Sequence, residues 1–274
     1  IQNDDTAVLT LAIFYNHSTF DDPAEGRTDD DAIATDKTPL LPGDIATKAN
    51  YTSYSRGING IMVDIAGLAN PDSVTIANLQ DYFAFHVGND DNPGSWPEGP
   101  APDAATIRQS PDTPDADRVT ITWPDNAIRN TWLQVTVKAA NLGLADDDVF
   151  YFGNAVAEAG NSGDNATVTT ADLLLARNNP RNLISSPADV TFPYDFDRDG
   201  RVDAVDVLLA RNNQTSFFNA LKLIDLSGEG EAAPESPLAE LAWLTDLDQP
   251  ATQRSVQKDV AAEAVDLLLA TLWS

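Results

Sequence analysis

Five stretches within residues 1–145 alternate apolar and polar positions or run through β-branched residues: 7–15, 60–65, 82–87, 118–123 and 131–137. A period of two puts every second side chain on one face of an extended chain, so each stretch predicts a strand with a buried face. Clusters of Asp, Pro, Gly and Asn between them predict turns. Many short strands joined by long turns read as an antiparallel β-sandwich. Residues 29–37 read as one short helix, and the Pro-rich tract 92–102 as a crossing over a surface or an edge. Trp123 and Trp132 fall inside the apolar strand patterns and are expected in the core.

Near Asp148 the texture changes. The run Val-Phe-Tyr-Phe-Gly at 149–153 is expected to dock a second domain on the first, which divides the chain into 1–147 and 148–274. Ala171-Asp-Leu-Leu-Leu-Ala-Arg-Asn-Asn-Pro180 recurs 34 residues later as Val205-Asp-Val-Leu-Leu-Ala-Arg-Asn-Asn-Gln214. Such self-similarity marks a duplicated unit. A third echo, Ala264-Val-Asp-Leu-Leu-Leu-Ala270, repeats only the helical part. The segment 255–273 is predicted as one amphipathic helix that packs against the other two.

The second copy is preceded by Asp195-Phe-Asp-Arg-Asp-Gly-Arg-Val-Asp-Ala-Val-Asp206, five carboxylates around one glycine. Carboxylates this crowded repel one another unless a cation sits among them. Calcium takes six to eight oxygen ligands from a flexible loop, with positions 1, 3, 5, 7, 9 and 12 supplying them. Counting from Asp195, those positions are Asp195, Asp197, Asp199, the Arg201 carbonyl, Asp203 and Asp206, and Gly200 occupies the turn position. Helix 204–213 follows, while Pro193 argues against an entering helix. Projected from Asp172, the first copy offers a poorer cage: Asn161, Gly163, Asn165, Thr167 and Thr169, with Glu158 and Asp164 near enough to add charge. Calcium there is expected to bind more weakly.

Across the whole chain, 43 acidic residues face 16 basic ones, a formal net charge of −27 in 274 residues. This charge disfavours nucleic acid and anionic membranes as partners, and no apolar run reaches membrane-spanning length. The absence of cysteine removes thiol and disulfide chemistry. A calcium-rich or saline setting, where cations screen self-repulsion, suits such a surface.

The loop and its exit helix resemble a dockerin-type calcium repeat, which carries Asp at the twelfth position and lacks an entering helix. More widely, Phe14-Tyr-Asn-His-Ser18, Ala32-Ile-Ala-Thr-Asp36, the stretch 50–64, Val119-Thr-Ile-Thr-Trp123 and Val149-Phe-Tyr-Phe-Gly-Asn154 resemble the C-terminal region of large secreted proteins from planctomycete-type bacteria. The resemblance implies a mainly β chain with an α-helical tail: an antiparallel β-sandwich followed by a small dockerin-like, EF-hand-like calcium module. It also implies a secreted or cell-surface bacterial location and an accessory, adhesion or anchoring role.

No catalytic constellation stands out. His17 and His86 lack zinc spacing, and His17 beside Ser18 and Asp21 is a sequence neighbourhood rather than a triad. The reading is therefore a non-enzymatic, calcium-binding structural or adhesion module. Alternatives are a subunit of a self-assembling surface fibre and the dockerin-like tail of a polysaccharide-active enzyme. A protein partner or self-association is expected. A polysaccharide remains a candidate ligand through Trp96, Trp123, Trp132, Tyr51 and Tyr54.

Overall fold

In the computed structural model, residues 6–68 and 70–228 are described, so the segment 255–273 and its predicted helix lie outside the described residues. The five predicted strands form, as β1 (Ala7–Ile13), β3 (Gly60–Ala66), β4 (Phe83–Gly88), β6 (Ala116–Thr122) and β7 (Trp132–Val137). Three more accompany them: β2 (Tyr51–Thr52), β5 (Ala104–Gln109) and β8 (Asp148–Asn154). They make two four-stranded sheets, β1-β3-β6-β5 and β2-β8-β7-β4. All pairings are antiparallel except β2 with β8.

The period-two pattern does what it predicts. Ile61, Val63, Ile65, Val119 and Ile121 of the first sheet share one buried cluster with Phe83, Phe85, Leu133, Val135, Val137, Phe150 and Phe152 of the second. Each such side chain contributes about 1.5–3 kcal/mol when removed from water. The opposite faces hold buried side chains as well. On the first sheet, Asp64 and Arg118 are register partners and form a bidentate pair, Nε to Oδ1 at 2.7 Å and Nη2 to Oδ2 at 2.8 Å. On the second, Trp132 and Tyr151 are buried beneath Leu40, Trp96, Leu221, Ile224 and Leu226. The Trp132 indole donates to the Lys222 carbonyl at 2.7 Å.

Two segments differ from expectation. Residues 29–37 form only a single 3-10 turn, Asp29–Ala32, capped by Thr28. The chain then extends, and Ala34 donates to the Ile13 carbonyl, because pairing with the end of β1 satisfies backbone groups that a helix would turn inward. The run 149–153 is itself a strand, and its Tyr151 is covered by Leu221, Ile224 and Leu226 from further along the chain. As β8 it lies between β7 and β2, inside the second sheet.

Two short helices, α1 (Leu79–Tyr82) and α2 (Ala139–Leu142), pack against each other, and α3 (Thr170–Asn178) and α4 (Ala204–Asn212) carry the duplicated sequence. Ala176 and Ala210, equivalent in the two copies, are both buried, together with Val156, Phe196 and Val202. Residues trailing each helix reach the other copy's loop: Arg181 bridges to Val202 and Thr215 donates to the Val168 carbonyl. Among the described residues no helix is long and apolar enough to cross a membrane.

Candidate metal centre

The loop before α4 is organised by its own carboxylates. Asp203 is the N-cap of α4 and accepts from Val205 N at 2.7 Å, while Asp206 at N3 reaches back to Asp203 N at 2.9 Å. This reciprocal capping box satisfies donors that the first helical turn leaves without partners. Asp206 also accepts from Phe196 N at 2.7 Å, which closes the loop on itself. At the other end, Asp195 is fully buried and accepts from Asp199 N at 3.1 Å and Gly200 N at 2.9 Å. Gly200 has φ 82°, a left-handed conformation that glycine adopts without a Cβ clash, and a Cβ there would lie 3.0 Å from Leu183.

This folding gathers Asp195, Asp197 and Asp199, whose ligand oxygens lie within 4.8 Å of one another. Asp203 and Asp206 stand outside that trio, although both act on it electrostatically. The Oδ1 atom of Asp197 is buried and has no hydrogen-bond partner. Burial first, and neighbouring carboxylates next, push Asp195 up to about 8 and Asp206 up to about 6, and raise Asp197 in the same direction. Protein donors therefore leave the negative charge of the loop incompletely compensated. The trio, with one bare oxygen among hard carboxylate donors, suits a calcium ion in chemistry.

Arg198, at the fourth position of the loop, points away from the trio and into the protein. Its guanidinium donates to the carbonyls of Phe192 (2.8 Å) and Asp195, to Tyr15 Oη (3.1 Å) and to Ser53 Oγ (3.3 Å). It lies 4.4 Å from the centre of the Tyr15 ring, a cation–π contact. Ser55 N donates to the Phe196 carbonyl and Thr19 N to the Arg198 carbonyl, so the loop is stitched to the turns that follow β1 and β2.

The first copy is built differently. Asp172 Oδ1 accepts from Ala159 N (2.9 Å) and Asn161 Nδ2 (3.1 Å), and Oδ2 from Thr169 N (2.7 Å) and Thr169 Oγ1 (3.1 Å). Neutral donors thus surround this carboxylate. Asn165 accepts from Thr167 N and donates to Ser162, turned toward its own loop. Ala159 N plays the part toward Asp172 that Phe196 N plays toward Asp206, so the first loop contains three additional residues. Glu158, not Asn161, is the counterpart of Asp195. Glu158 is buried and its pKa is raised by desolvation. Its Oε2 accepts from Tyr51 Oη (2.5 Å) and Gly160 N (2.8 Å), and its Oε1 has no partner. Lys48 brings a positive charge to this end of the loop by donating to the Ala159 carbonyl at 2.9 Å.

The other candidates are dispersed. Trp96, Trp123, Trp132, Tyr51 and Tyr54 are all buried, so these five rings offer no stacking platform. The Trp96 indole donates to Asp90 at 2.9 Å and its ring meets Tyr151 edge-on. His17 pairs with Asp125 at 3.1 Å, and Ser18 bonds Asp21 instead of His17. The Arg198 anchor was missed in the sequence because position 4 supplies no ligand and an arginine in an acidic loop reads as solvated. Compared with protein-family models, curated proteins and solved structures, the chain matches none.

Proposed function

We propose that the chain is a non-catalytic, calcium-clamped structural or adhesion module of a secreted or surface-displayed bacterial protein. In this reading the two sheets form a β-sandwich, and the duplicated loop–helix units form a dockerin-like module fixed to it. One calcium ion is held by the loop 195–206, through Asp195, Asp197 and Asp199, with Asp203, Asp206 and the Arg201 carbonyl as the remaining loop ligands. Its chemistry is charge neutralisation, which lets buried carboxylates stay ionised. The observation that carries the reading is the buried, unpartnered Asp197 oxygen inside the Asp195–Asp197–Asp199 cluster.

Rigidification follows from the anchoring. An ion that orders the loop also fixes Arg198, and through it Tyr15 and Ser53 next to the sheets. Binding to the folded loop but not to the unfolded chain stabilises the fold by linkage. No ion is assigned to the first loop, where Asp172 is satisfied by neutral donors and Lys48 supplies charge. Calcium titration by calorimetry tests this: one site is expected, lost in Asp195→Ala/Asp199→Ala. Undiminished binding in that variant would sink the assignment.

A further inference from the structure

The two copies of the duplicated unit each bring one buried charge to the same stretch of chain. Glu158 precedes α3 and Arg198 precedes α4, and they are 1% and 2% exposed. Tyr51 Oη donates to Glu158 Oε2 at 2.5 Å, and two residues further along Ser53 Oγ accepts from Arg198 Nη2 at 3.3 Å. Side chains two apart on an extended chain share a face. β2 and its continuation therefore hold the carboxylate and the guanidinium next to each other.

Each group has one atom left over. Glu158 Oε1 and Arg198 Nε are buried and, among the described residues, neither has a hydrogen-bond partner, so the two do not bond each other. A buried polar atom without a partner forfeits the hydrogen bonds it makes with water in the unfolded chain. The backbone that delivers both groups is left-handed: Ala157, next to Glu158, has φ 64°, and Arg198 itself φ 55°. Residues other than glycine keep such a conformation where the surrounding contacts impose it.

Glu158 and Arg198 line one small cavity, together with Asp36, Lys37, Lys48 and Ser53. It leaves about 10 Å³, room for a single water-sized occupant. The two leftover atoms narrow the choice of occupant, because a carboxylate oxygen needs a donor and a guanidinium N–H needs an acceptor. A halide ion only accepts, and Asp36 and Glu158 repel it. A metal cation serves the carboxylate but not the N–H, and Arg198, Lys37 and Lys48 repel it. The lysines are turned to other partners, Lys37 to Asp36 at 3.1 Å and Lys48 to the Ala159 carbonyl at 2.9 Å. Water both donates and accepts.

We propose that this cavity is a binding site for one water molecule, which donates to Glu158 Oε1 and accepts from Arg198 Nε. Asp36 and Ser53, which also line the cavity, offer acceptors for its second hydrogen. The water joins the segment before α3 to the segment before α4 by way of β2. It is a polar joint between the two copies, added to the apolar packing of Ala176, Ala210, Val156 and Phe196. The site uses none of the three gathered aspartates, so it stands or falls apart from the calcium reading.

A high-resolution crystal structure of the full chain, with anomalous data from crystals grown in bromide and in caesium, tests this. A density peak is expected roughly 2.7–3.2 Å from both Glu158 Oε1 and Arg198 Nε, without anomalous signal in either salt. An empty cavity, a direct bond between the two side chains, or a bromide or caesium signal at the site would each overturn the proposal. In solution, oxygen-17 relaxation dispersion counts the waters that exchange slowly with the bulk. Glu158→Met/Arg198→Met replaces both charged groups by apolar chains and is expected to hold one such water fewer than wild type, and an unchanged count in the folded variant would overturn the assignment. Where that variant does not fold, the wild-type crystal structure decides.

Discussion

Asp197→Asn should have opposite effects on stability with and without calcium. The substitution keeps the shape of the side chain and removes its charge. Two unit charges 4.8 Å apart, the outer limit for the Asp195–Asp197–Asp199 oxygens, repel by roughly 3.5 kcal/mol at an effective dielectric of about 20. Asp197 is partly solvated, which reduces the relief to about 1–2 kcal/mol. In a chelator, above neutral pH, the variant should therefore melt higher than wild type. At about 2–4 °C per kcal/mol for a domain of this size, a rise of several degrees is expected. In calcium the sign reverses, because a ligand has been lost. A tenfold weaker site gives up about 1.4 kcal/mol of linked stability at any saturating concentration. Paired thermal scans in chelator and in excess calcium measure both effects. If Asp197→Asn lowers the melting temperature equally in the two conditions, the oxygen is structural and the charge argument fails.

Further outcomes follow from the same geometry. Asp195, raised to about 8, and Asp206, raised to about 6, keep protons that unfolded aspartates release near pH ~4. Their contribution to metal-free stability should be full below that value and be lost as pH rises through both raised values; denaturant titrations between pH ~5 and ~8 would refute this by showing a rise, and saturating calcium should abolish the fall. Gly200→Ala, forced into a left-handed φ with its methyl against Leu183, should cost about 1–2 kcal/mol, read as a lower denaturation midpoint. Arg118→Met strands the Asp64 carboxylate on the covered face of the first sheet and should destabilise by about 3–5 kcal/mol. Arg118→Met/Asp64→Leu should recover most of that loss, as chemical denaturation of the pair would reveal.

Where one side of a strand faces the core and the other is polar, the chain announces the strand. β1, β4, β6 and β7 were legible for that reason, and β3, buried on both faces, through its β-branched residues. β8 was not, because both its faces are covered, Phe150 and Phe152 in the shared core and Tyr151 beneath Trp96. Its unbroken apolar run gave no period to read. β5 is an edge strand with mostly exposed positions after a Pro-rich tract. In the second loop, spacing identified the gathered aspartates, since a loop of fixed length puts fixed positions in fixed places. In the first, counting back from Asp172 failed to reach Glu158, because three added residues change the loop and leave the helix sequence untouched. Trp96 sits in a loop by sequence, yet the loop folds over the second sheet and buries it.

The strip of chain that covers the second sheet sets an order of assembly. Trp132 and Tyr151 are complete in the sequence long before Leu221, Ile224 and Leu226 are synthesised to shield them. At about 5–20 residues per second, the growing protein spends seconds with this aromatic surface covered only by earlier residues such as Leu40 and Trp96. The final closure draws on residues far apart in the chain, a slow class of contact. A chaperone, or the covering strand of a neighbouring copy, has its opportunity during that interval.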